Sequence, residues 1–425
     1  MDEIVPEQYQ LRVISTLFFC NIQFCANLRL NQFTWTNLML FIKNKPCSGN
    51  ISATQKSINK RYAIQLFLLF SSPTYALNGI DNSGRSDYDL DNNGLIEIND
   101  LSDLNEIRNN VNGKKLYGSN TGCPTLADDK IDGCNGFELT TDLDFDTNND
   151  GMMDSADEYW DQGFGWLPIG TREAPFSATF HGNGYLIKNL YIHDEYTSKI
   201  GLFSVTNNAF IKQLGLVGHL GSITGSTSVG SFIGLAFDTH LESSFNSIDI
   251  NATHERSSAG GLIGFTQAKV SVSNSMNRGT VTAVTTGGLV GNAHLSKLSV
   301  SNSINTGILK PLVAGQGRHG GLVGKGAFAP EVFHSYWAED LSQQKQSTSA
   351  REENGYIGFD SPILRCAVNA DTTSNNSACV SSDGKNEGLY EPVTLYKGWD
   401  ESIWDFGTSE QLPGLRFNGQ ILRGE

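Results

Sequence analysis

Gly230-Ser231-Phe232-Ile233-Gly234 returns as Gly260-Gly261-Leu262-Ile263-Gly264, then as Gly287-Gly288-Leu289-Val290-Gly291, and again as Gly320-Gly321-Leu322-Val323-Gly324. A degenerate first copy is Ile200-Gly201-Leu202-Phe203-Ser204. A recurrence of about 30 residues marks a repeat architecture. Each copy is a short apolar run between glycines, which reads as a strand between tight turns. No i, i+3, i+4 stripe accompanies it, so the period is not helical. One such unit cannot bury its own apolar face. Stacking lays Leu202, Phe232, Leu262, Leu289 and Leu322 above one another, with parallel neighbours about 4.8 Å apart.

A second motif follows each copy. Ser244-Phe245-Asn246-Ser247-Ile248 aligns with Val272-Ser273-Asn274-Ser275-Met276 and Val300-Ser301-Asn302-Ser303-Ile304. An altered version is Val332-Phe333-His334-Ser335-Tyr336-Trp337. This alignment makes Asn246, Asn274 and Asn302 an expected amide ladder along the stack. The fold class expected is all-β, a parallel solenoid whose repeats occupy residues 200–337.

The repeats resemble the GLUG motif of bacterial secreted and surface proteins. Three flanking stretches are similar to the opening rungs of such proteins: Trp166-Leu167-Pro168-Ile169-Gly170, Phe176 to Phe180, and Gly182-Asn183-Gly184 with Ile187 to Leu190. His181 stands where an Asp is more usual. Trp404-Asp405-Phe406-Gly407 and Leu412-Pro413-Gly414-Leu415 resemble their closing segment. The resemblance covers about residues 137–417. It implies a right-handed parallel β-helix of adhesin-like type, and no defined activity.

Composition agrees. The chain has 425 residues, 45 of them glycine, with 18% charged residues and a net charge of −15. Such an acidic balance argues against a nucleic-acid partner and suits divalent cations. Lys56, Lys60 and Arg61 precede the apolar run 63–70 and Ser71-Ser72-Pro73-Thr74-Tyr75-Ala76. That order reads as a signal peptide over 58–76, cleaved after Ala76. The run is too short to span a membrane. A buried segment of an N-terminal domain is the alternative. Residues 1–57 continue no later pattern and read as a doubtful extension. The expected localisation is secreted or cell-surface, in a bacterium.

Cys123, Cys134, Cys366 and Cys379 remain after the leader. An even count in an exported chain points to disulfides, 123–134 and 366–379 by their short loops. Free thiols in a cytosolic protein are the alternative.

Ahead of the repeats, carboxylates are spaced. Asp89-Leu90-Asp91-Asn92-Asn93-Gly94-Leu95-Ile96-Glu97-Ile98-Asn99-Asp100 fits an EF-hand loop, with oxygen ligands at positions one, three and five and glycine at six. Its expected Ca²⁺ ligands are Asp89, Asp91, Asn93, the Leu95 carbonyl, Glu97 and Asp100. The closing Asp100 and the apolar Leu101, Leu104 and Ile107 resemble a dockerin module. Asp146-Thr147-Asn148-Asn149-Asp150-Gly151-Met152-Met153-Asp154-Ser155-Ala156-Asp157 repeats the grammar. There the expected ligands are Asp146, Asn148, Asp150, the Met152 carbonyl, Asp154 and Asp157. A solvated Asp/Asn-rich turn is the alternative at both loops. The segments then read as 77–136 (first loop and disulfide), 137–199 (opening rungs with the second loop inserted), 200–337 (repeats) and 338–425 (loops and cap).

Catalytic patterns are sparse. Between 201 and 330 the acids are Asp238, Glu242, Asp249 and Glu255, out of register with one another. No HExxH, nucleophile elbow or phosphate-loop pattern occurs. Trp160, Trp166, Trp337, Trp399 and Trp404 are expected to cap the ends of the stack. The reading is a non-enzymatic adhesin-like protein binding a carbohydrate or surface-protein ligand. A polysaccharide-active β-helix enzyme with its site in 340–400, and a dockerin-type assembly module, are the rivals.

Overall fold

A computed structural model describes residues 85–124, 133–326, 330–345, 358–365, 395–396, 398–407 and 410–424. The signal segment, residues 1–57 and the Cys366/Cys379 pair lie outside the described residues, as does most of the 340–400 stretch proposed for an enzyme site. Among the described residues no helix is long and apolar enough to cross a membrane.

The repeats stack as parallel rungs. Gly230, Gly260, Gly287 and Gly320 are successive ladder partners. Phe203, Ile233, Ile263, Val290 and Val323 form the next column. Leu202, Phe232, Leu262, Leu289 and Leu322 are fully buried, as their stacking requires. The faces of this solenoid are sheets of 11, eight, five and four strands. In the first of these, the long strands Ile263–Ser273 and Val290–Ser301 fuse what are two separate strands in earlier rungs.

The asparagine ladder exists, with a different register. Asn246 pairs with Asn277, and Asn277 with Asn305. Each amide donates to the next: Asn246 Nδ2 to Asn277 Oδ1 at 2.8 Å, and Asn277 Nδ2 to Asn305 Oδ1 at 2.9 Å. Asn274 and Asn302 instead occupy a corner with φ of 48° and 46°. Ser243 and His334 share that corner, at 47° and 42°. Asparagine tolerates this left-handed conformation better than most residues. The sequence alignment placed Asn246 three residues out, because rungs differ in length and the loops absorb the difference.

The ladder explains the paired glycines. A Cβ on Gly261 would lie 2.2 Å from Asn277 Cγ, and one on Gly288 2.3 Å from Asn305 Cγ. The second glycine of the motif thus makes room for the amide across the rung. Beside it runs a serine column. Ser275, Ser303 and Ser335 Oγ accept the N–H groups of Ser244, Ser275 and Ser303 at 3.1–3.2 Å. Each of these hydroxyls donates to the carbonyl two residues back. The backbone N–H groups of Ser244, Ser275 and Ser303 are thereby satisfied.

The stack begins earlier than its sequence period. Strand Ile96–Ile98 pairs in parallel with Gly136–Leu139, which pairs with Thr179–His181. Asp100 caps helix Leu101–Glu106 by accepting the Asp103 N–H. Leu101, Leu104 and Ile107 bury into the same core as Ile96, Phe137 and Phe180. The Cys123–Cys134 disulfide forms as expected. The first loop region therefore closes one end of the solenoid.

The C-terminal tryptophans do not cap an end. Trp404–Asp405, Gly414–Phe417 and Gln420–Arg423 make an antiparallel three-stranded sheet. It covers a flank, where Leu186, Phe245, Met276, Ile304 and Tyr336 of successive rungs form an apolar stripe against Trp399, Trp404, Phe406 and Leu415. Trp166 and Trp337 do lie in the main core, toward its first and last rungs. Trp160 is half-buried and stacks on Tyr191.

Candidate metal centre

The two acidic loops share one backbone design. Asp89 Oδ1 and Oδ2 accept the N–H groups of Asn93 and Gly94 at 2.9 and 2.8 Å. Asp146 accepts those of Asp150 and Gly151 at 3.2 and 3.0 Å. The fourth residues, Asn92 and Asn149, have φ of 58° and 57°, and the glycines at position six have 84° and 80°. Glycine fits that sharp turn because it lacks a Cβ.

The first loop gathers its charge by ladder register. Glu97 sits on strand Ile96–Ile98 and faces Glu138 on the neighbouring strand. One oxygen each of Asp91, Glu97 and Glu138 lie within 4.8 Å of one another. Glu97 and Glu138 are buried, and Asp91 is exposed. Asn93 Nδ2 donates to both Asp91 and Glu138, at 3.0 and 2.9 Å. Asn183 donates to the other Glu138 oxygen at 2.7 Å. Glu97 accepts the Leu90 N–H at 2.6 Å and pairs with Arg85 at 3.2 Å. Burial pushes the carboxyls of Glu97 and Asp89 up, against the pull of these donors. Buried acids so close repel unless a cation or proton joins them.

Not every expected ligand joins this group. Asp91 and Glu97 do, with the Asn93 amide beside them. Asp89 is turned to the loop N–H groups, and Asp100 is held as the helix cap. Leu95 donates its N–H to Asn93 Oδ1. Glu138 was absent from the sequence reading. Its signal was the pattern Phe137-Glu138-Leu139, which matches Ile96-Glu97-Ile98.

In the second loop Asp157 folds back, accepting the Thr147 and Asp154 N–H groups at 2.8 and 2.9 Å. Asn148 bonds Asp150, and Asp150 accepts the Met152 N–H. Asp154 accepts the Ala156 N–H. Among the described residues, no three carboxylates of this loop approach as closely as those of the first. A cavity of about 360 Å³ opens beside it, lined in part by Asp100, Asp142, Asp144, Asp146 and Glu158. Asp142 is paired with Lys188 at 2.9 Å, and Asp144 accepts from Asn189 at 2.8 Å.

The three carboxylates on a glycine-turned loop fit a hard divalent cation, and the Asn93 amide, whose nitrogen faces them here, would turn over to add its oxygen. In the repeats, Asp238 accepts the Lys269 N–H, and the His240 ring meets the Ser271 hydroxyl. Glu242 lies between Lys212 and Ser273, and Asp249 beside Ser222. None of these forms a carboxylate pair.

No family model matches the chain, and no curated protein matches it. Among solved structures it resembles one described as a "putative immunoglobulin A1 protease" from Bacteroides ovatus. The two are 13% identical with a TM-score of 0.43, over 77% of this chain and 92% of that one.

Proposed function

We propose that this chain is a secreted or cell-surface protein of the GLUG-repeat kind, a non-enzymatic scaffold that binds glycan on its flank and holds Ca²⁺ at its capped end. One observation carries the reading. The repeats spend their recurring residues inward, on the Gly–Asn and serine columns, and leave outer faces of polar residues without a carboxylate pair in register. General acid–base or nucleophilic glycoside chemistry needs two such carboxylates facing one bond. Asp91, Asn93, Glu97 and Glu138 would hold the cation, which would neutralise their repulsion and fasten the cap strand to the next rung. No chemistry beyond that is asked of it.

The cavity beside the second loop favours a second reading, a polysaccharide-active enzyme. Its acids are largely engaged: Asp100 caps a helix, Asp142 is ion-paired and Asp146 grips its own loop. A dockerin-type module is less favoured, since the apolar side of helix Leu101–Glu106 is buried in the solenoid core. A glycan array with the full chain, run with Ca²⁺ and with chelator, tests the proposal. Saturable binding to a defined glycan set supports it. Binding to none sinks it.

A further inference from the structure

Charge is segregated along the solenoid. Residues 85–195 carry 22 acidic and 7 basic side chains. Residues 256–330 carry seven Lys or Arg and not one Asp or Glu. In a chain this acidic, such a stretch is a built asymmetry. Two of its cations are direct ladder neighbours: Lys269 faces Lys297 on the adjacent strand, and both are exposed. Lys325 lies on the following rung of the same sheet, in the column of Phe265 and Asn292. His294 is exposed between the two columns. Among the described residues, Lys269, Lys297 and Lys325 make no salt bridge. Two acids flank the pair: Asp238 spends a carboxylate oxygen on the Lys269 backbone N–H, and exposed Glu331 stands opposite Ser299 on the next rung.

Like charges on adjacent strands destabilise a sheet. They are tolerable where a ligand supplies the counter-charge. We propose that this surface binds an anionic polysaccharide, one bearing a carboxylate or sulfate on each sugar. The strand spacing of about 4.8 Å is close to the length of one sugar unit in an extended chain. Lys269 and Lys297 therefore present two ammonium groups at the repeat of the ligand's charges, and Lys325 adds a third cation further along the sheet. Half-exposed Phe265 offers a ring to a sugar face, while the Asn292 amide is held by the His294 N–H and the Ser258 hydroxyl. This rests on the glycan-binding reading above and names its ligand class and surface.

The test is calorimetry of the full chain with polygalacturonate, its fully methyl-esterified neutral form, a sulfated glycan and a DNA duplex. The acidic glycan binds, and the esterified form binds about tenfold more weakly. Lys269→Gln with Lys297→Gln also weakens binding about tenfold. Salt of about 0.5 M weakens it as well. Lys114→Gln, an exposed change at the acidic end, leaves it unaltered. Preference between polygalacturonate and the sulfated glycan tells which anion the surface takes. Equal binding of acidic and esterified forms overturns this inference while leaving the glycan reading intact. An unaffected double variant, or equally tight DNA binding, overturns it too, as does low-salt self-association that the double variant abolishes. Failure of every glycan, neutral ones included, removes the reading beneath it.

Discussion

Replacing Asn277 by Ala removes the middle of the buried amide ladder. Three hydrogen bonds are lost: the donations to Asn305 Oδ1 at 2.9 Å and Gly279 O at 3.0 Å, and the one accepted from Asn246 at 2.8 Å. At about 1 kcal/mol each, with buried partners left short of a bond, the cost is about 3–5 kcal/mol. Asn274, three residues earlier, makes a control. Its Oδ1 is buried and finds no partner among the described residues, and its side chain serves the left-handed corner. Asn274→Ala therefore costs about 1 kcal/mol. Urea unfolding followed by circular dichroism reads both. The midpoint should drop by about 1 M or more for Asn277→Ala, and only slightly for Asn274→Ala. A larger drop for Asn274→Ala would refute the register and restore the ladder suggested by aligning the motifs.

Other perturbations follow from the same structure. Gly288→Ala puts a Cβ 2.1 Å from the Gly321 carbonyl and should cost more than about 3 kcal/mol, seen as loss of soluble folded protein or a large fall in Tm. Calcium at about a hundred times its Kd should stabilise the cap by about 2.7 kcal/mol, and Glu138→Gln should abolish most of that gain in a thermal-shift assay. An unchanged Tm with Ca²⁺ in the parent chain would count against the metal site. Asp405 is pushed up by burial but pulled further down by its Arg423 bond, the Gly407 N–H and Arg416, so its carboxyl titrates below the usual range. Its contribution is complete above the unfolded value near 3.8 and disappears as pH falls through the lower folded value. Asp405→Asn should therefore cost about 1 kcal/mol at pH 7, and progressively less as pH falls below 3.8, in paired denaturation curves.

The solenoid was legible because its core residues repeat in one dimension. Leu262, Leu289 and Leu322 could be stacked from the sequence without knowing any loop. The ladder was not, because the rung from Asn246 to Asn277 is longer than the next, so the first motif copy slips out of register while Asn274 and Asn302 stay aligned, and Asn occurs both as a core amide and as a corner residue. Glu138 was hidden for a related reason. It reaches the first loop across a strand pair joined by a long, disulfide-bearing excursion, and no local spacing records that pairing. Asp100 matched a ligand position yet serves as a helix cap, since short acidic side chains suit both tasks. The C-terminal tryptophans misled because the apolar stripe they cover (Phe245, Met276, Ile304, Tyr336) alternates with inward residues on short strands. Sequence alone gave those residues no outward face.

The claim that this solenoid binds without turning over its ligand is tested most directly by prolonged incubation. The purified full chain is mixed with each polysaccharide it binds, and reducing ends, unsaturated products and chain length are followed over hours. The account predicts saturable binding with chain length unchanged. Time-dependent shortening that is lost on changing the acids lining the cavity beside the second loop, Asp144 or Glu158, would contradict it and make the chain an enzyme.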